Sequence, residues 1–140
     1  MFKRTAQGSG QGPGREAGQD APLVHQPHRP IDLAHLSGQS LGDDGLRDEI
    51  LRIYADQAQI HLERVETSTN VDELLRHLKT MRLAASGVGA ITVRDLALIA
   101  EEELLAGAPV DPERIDDIAI AVAECDAYID TLIVEPAEQA

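Results

Sequence analysis

The sequence predicts an all-α protein, an up-down-up-down four-helix bundle with a short N-terminal capping helix. Three observations carry this reading. The 140 residues include one Phe, two Tyr and no Trp, so Ala, Leu and Ile must fill the core, and such side chains suit closely packed helices better than a sheet. Four stretches repeat apolar residues at helical spacing. Each is bounded by residues that start or stop helices.

Residues 1–30, at the start of the chain, are rich in Gly, Gln and Pro and have no hydrophobic period, the composition of a disordered tail. Ile31 to Leu36 opens the folded part, expected over 31–134, as a short helix on the end of the bundle. Asp43, or Ser40 with Asp43 three residues on, caps the next helix, which runs to about Thr67. Leu46, Ile50, Leu51, Ile53, Tyr54, Ala58, Leu62 and Val65 give that helix a broad apolar arc, and Gln57 and His61 fall inside it.

Asn70 with Glu73 forms a capping box for a third helix. At about 100° per residue, Leu74, Leu75, Leu78, Met81, Ala85 and Val88 share one side of it. Arg76, Lys79, Thr80, Leu83 and Gly87 share the other, and Leu83 is the exception on a face that should be wet. Thr92 with Asp95 caps a helix from Val93 to Gly107, where Gly107 and Pro109 supply a stop. Asp111-Pro112-Glu113 starts the last helix, on which Ile115, Ile118, Ala119, Val122, Cys125, Ile129 and Leu132 recur at helical spacing. Residues 135–140 are expected to fray.

Composition excludes several classes of function. The formal net charge is −13, and after Glu101 the only basic residue is Arg114, so nucleic acid and anionic membrane are not expected partners. The single Cys125 excludes an internal disulfide and suits a reducing compartment. No stretch approaches the ~20 apolar residues that span a bilayer, and no apolar run comes after Lys3-Arg4, which predicts a cytoplasmic protein. His25, His28 and His35 have no cysteine or carboxylate set near them in sequence, so neither metal nor cofactor is expected.

The third and fourth helices carry the most specific pattern. Lys79, Met81, Arg82, Leu83 and Ala84, succeeded without a gap by Gly89-Ala90, Val93 and the run ending in Glu101-Glu102-Glu103, resemble the histidine-containing phosphotransfer (HPt) domain of bacterial phosphorelays. In that family the helix reads His, any residue, Leu, Lys, Gly, Ser, with Gly-Ala about five positions later. The resemblance covers about Ile31 to Glu103, and the Ile31-Asp32-Leu33 opening also resembles the family. Aligning Gly89-Ala90 on the family's Gly-Ala puts Lys79 at the phosphate-accepting histidine, Met81 at the Leu, Arg82 at the Lys, Leu83 at the Gly and Ala84 at the Ser. The resemblance further implies that Gln57 approaches the acceptor position.

Imidazole, with a pKa near ~6.5, is a good phosphate carrier at neutral pH, whereas a lysine with a pKa of about 10.4 is almost wholly protonated there. Leu83 in place of the glycine adds bulk where a partner's active site would approach. The resemblance therefore implies a protein that docks on a response-regulator receiver or a histidine kinase through Arg76, Lys79, Arg82, Leu83 and Gln57, with no catalytic residue. An alternative is an active phosphocarrier using His77, which lies roughly 200° round the helix from Lys79. Another is a structural module in which Leu83 joins two copies as a homodimer.

Overall fold

The computed structural model describes residues 29–139, with side chains from Arg29 to Ile133. The tail assigned to residues 1–30 thus lies outside the described residues except for Arg29 and Pro30, and His25 and His28 lie outside them as well. Among the described residues the chain is helical, with no strand: α1 (Leu33–Ser40), α2 (Asp44–Thr67), α3 (Val71–Val88), α4 (Ile91–Leu105) and α5 (Pro112–Gln139). The helical backbone of α5 takes in residues 135–139, where fraying is expected from the sequence.

Starts and stops obey the capping chemistry with one correction. Asp43, not Ser40, caps α2: its Oδ1 accepts from the Leu46 amide at 3.0 Å, while Ser40 is the buried last residue of α1. At α3, Asn70 Oδ1 accepts from the Glu73 amide at 2.8 Å, and Glu73 Oε1 accepts from the Thr69 amide at 2.9 Å. The Thr69 amide first, then the Thr69 hydroxyl and the charges of His77 and Arg76, hold the Glu73 carboxyl below its usual pKa. At α5, Asp111 Oδ1 accepts from the Glu113 amide at 2.9 Å.

The correction is at α4, which starts at Ile91 with Ala90 as N-cap and no side-chain cap bond. Thr92 is already helical. The turn from α3 explains this: Gly89 takes φ 79°, and the Ala90 amide reaches back to the Ala85 carbonyl at 2.8 Å. This is the left-handed ending that glycine permits. Only 89–90 separate the two helices, which leaves no room for a Thr92 cap.

The same turn holds α1. The Asp32 amide donates to the Gly89 carbonyl at 2.8 Å, and His35 Nε2 lies 3.2 Å from the Gly87 carbonyl. A β-carbon on Gly89 would come within 3.1 Å of Asp32 Cβ and of its carbonyl oxygen. Pro30 is buried too, and its carbonyl accepts from the Cys125 thiol.

Packing runs in a closed cycle: α2 on α3, α3 on α4, α4 on α5, and α5 back on α2, with α1 laid over α2 and α3. The core is aliphatic, as the shortage of aromatics requires. Ile31, Leu36, Leu51, Leu78, Met81, Ile118, Val122 and Ile129 are its largest side chains sealed from water. Cys125 is among them, and burial pushes its thiol up to about 12, with Asp126 and Glu124 adding to the shift. So little thiolate forms at neutral pH that a nucleophilic role does not arise.

Candidate functional site

The outward ridge of α3 is built from residues between about 160° and about 260° round the helix from Met81. Arg76, Lys79, Thr80, Leu83 and Gly87 are all exposed there, as the period predicts. Leu83 leaves 54% of its surface in water. Among the described residues, neither Arg76 nor Lys79 enters an ion pair.

Arg82 departs from the expected set. It lies on the α4 side of α3, and its Nε and Nη2 donate to the two carboxylate oxygens of Glu101. Glu101 is buried, so the pair satisfies a carboxylate that would otherwise be stranded. The guanidinium braces α3 against α4 rather than standing free beside Lys79. Sequence reading missed this because the partner lies 19 positions away, although an acid at a core-facing position of α4 is itself a signal that a cation must reach it.

Gln57 lies on the α2 side of the ridge. It is exposed on the rim of a shallow α2–α3 groove of about 290 Å³, lined also by Ile50, Ile53, Tyr54, His61, Ala84 and Val88. Lys79 faces towards the α4 flank of the ridge, and no hydrogen bond joins it to Gln57 among the described residues. Leu46 and Ile53, placed in the buried arc by periodicity, are instead 43% and 56% exposed. The apolar arc of α2 is wider than the surface that α3 and α5 cover.

His77 is half-buried on the α2 flank of α3, close enough to influence both His61 and Glu73. His61 is buried, and its Nδ1 has no hydrogen-bond partner among the described residues. Burial, then Arg64 and His77, lowers its pKa. On the far side of α2, Gln59 donates to Asp126 of α5. Burial, then Asp130 and Asp56, raises the Asp126 pKa against the effect of that bond. Tyr54 Oη lies buried without a partner among the described residues, and burial, with Cys125 and Asp126 adding to it, raises the Tyr54 pKa.

No group of three His, Cys, Asp or Glu side chains among the described residues is placed to hold a metal ion. Nor is any described helix long and apolar enough to cross a membrane. Compared with protein-family models, with curated proteins and with solved structures, the chain matches none.

Proposed function

We infer that the chain is an HPt-like four-helix bundle that docks on the receiver domain of a response regulator without carrying phosphate. The observation that carries this reading is the α3 ridge. Lys79 stands where the resemblance puts the acceptor histidine, exposed and outside any described ion pair, with Arg76 one turn before it and Leu83 one turn after. An ammonium in that place is a poor nucleophile at neutral pH. It is well suited to face a cluster of carboxylates such as a receiver's active site, where opposite charge speeds encounter and selects the partner.

Arg82, neutralised by Glu101, serves this reading as a brace and not as a contact. Gln57 stands on the α2 side of the same surface. The half-buried place of His77, off the ridge, argues against the phosphocarrier alternative.

The test is binding and phosphate transfer measured in parallel against a panel of phosphorylated receivers. Binding without transfer is expected, weakening with salt and falling about tenfold or more in Lys79→Glu. Acid-labile label on the protein that vanishes in His77→Ala would overturn the reading, as would affinity unchanged by Lys79→Glu.

A further inference from the structure

We draw no further inference here: the strongest candidate, the shallow apolar groove between α2 and α3 with the exposed Leu46, Ile53 and Ile60 of α2 along it, carries none, because nothing in the structure shows what covers it.

Discussion

Gly89 does three things with one missing side chain. Its φ of 79° ends α3, its carbonyl takes the Asp32 amide, and its bare α-carbon lets Asp32 come within what would be 3.1 Å of a β-carbon. Gly89→Ala therefore combines left-handed strain with a backbone clash, and about 2 kcal/mol or more of stability should be lost. A chemical denaturation midpoint measures it. His61 sets a pH dependence whose sign comes from burial. Its folded pKa lies below the unfolded value of about 6.5, so the unfolded chain takes the proton first as pH falls. The histidine's contribution is complete above pH ~6.5 and is lost as pH drops towards the lowered folded pKa. Thermal melts from about pH 7.5 to about pH 5 should show that slope, and His61→Leu should flatten it.

At the scale of the element, caps and interhelix pairs decide. Leu41, the residue ending α1, adopts φ 54° with 88% of its surface exposed. Nothing in the packing compensates that conformation, so Leu41→Gly should stabilise the protein by about 0.5–1 kcal/mol, read as a rise in Tm. Asp43→Ala should cost about 1 kcal/mol by removing the α2 cap. Arg82→Ala strands the buried Glu101 carboxylate and should cost several times more than Arg76→Ala on the open ridge. Comparing their unfolding midpoints separates the brace from the exposed cation. Legibility in the sequence tracks the range of each bond. Asn70, Asp43 and Asp111 were readable because a cap bonds within four residues. The Thr92 cap failed because the Gly89 turn, a tertiary anchor for Asp32, brought the next helix forward.

Across the whole molecule, a net charge of −13 opposes compaction. Raising ionic strength from about 0.01 M to about 0.15 M shortens the screening length from roughly 30 to 8 Å and should raise Tm. The same salt should weaken receiver docking through Lys79, so stability and binding should move in opposite directions. The aliphatic core tolerates this repulsion because its closed cycle of helix contacts buries apolar side chains from every helix, down to the small Val93, Ala97 and Ala100 of α4.

The sequence by itself determined the helical class, most helix limits and the buried face of α3, because helix period, caps and glycine stops act over a few neighbouring residues. It also determined that Lys79 and Leu83 stand outward, since their angle from Met81 fixes that once the helix exists. Only the tertiary structure decided which parts of a broad apolar arc find cover. Leu46 and Ile53 read as core yet face water, because coverage depends on where α3 and α5 lie and not on the arc itself. It likewise decided that Arg82 belongs to Glu101, and that His61 is buried with a nitrogen unpartnered among the described residues, since both facts depend on residues far apart in the chain.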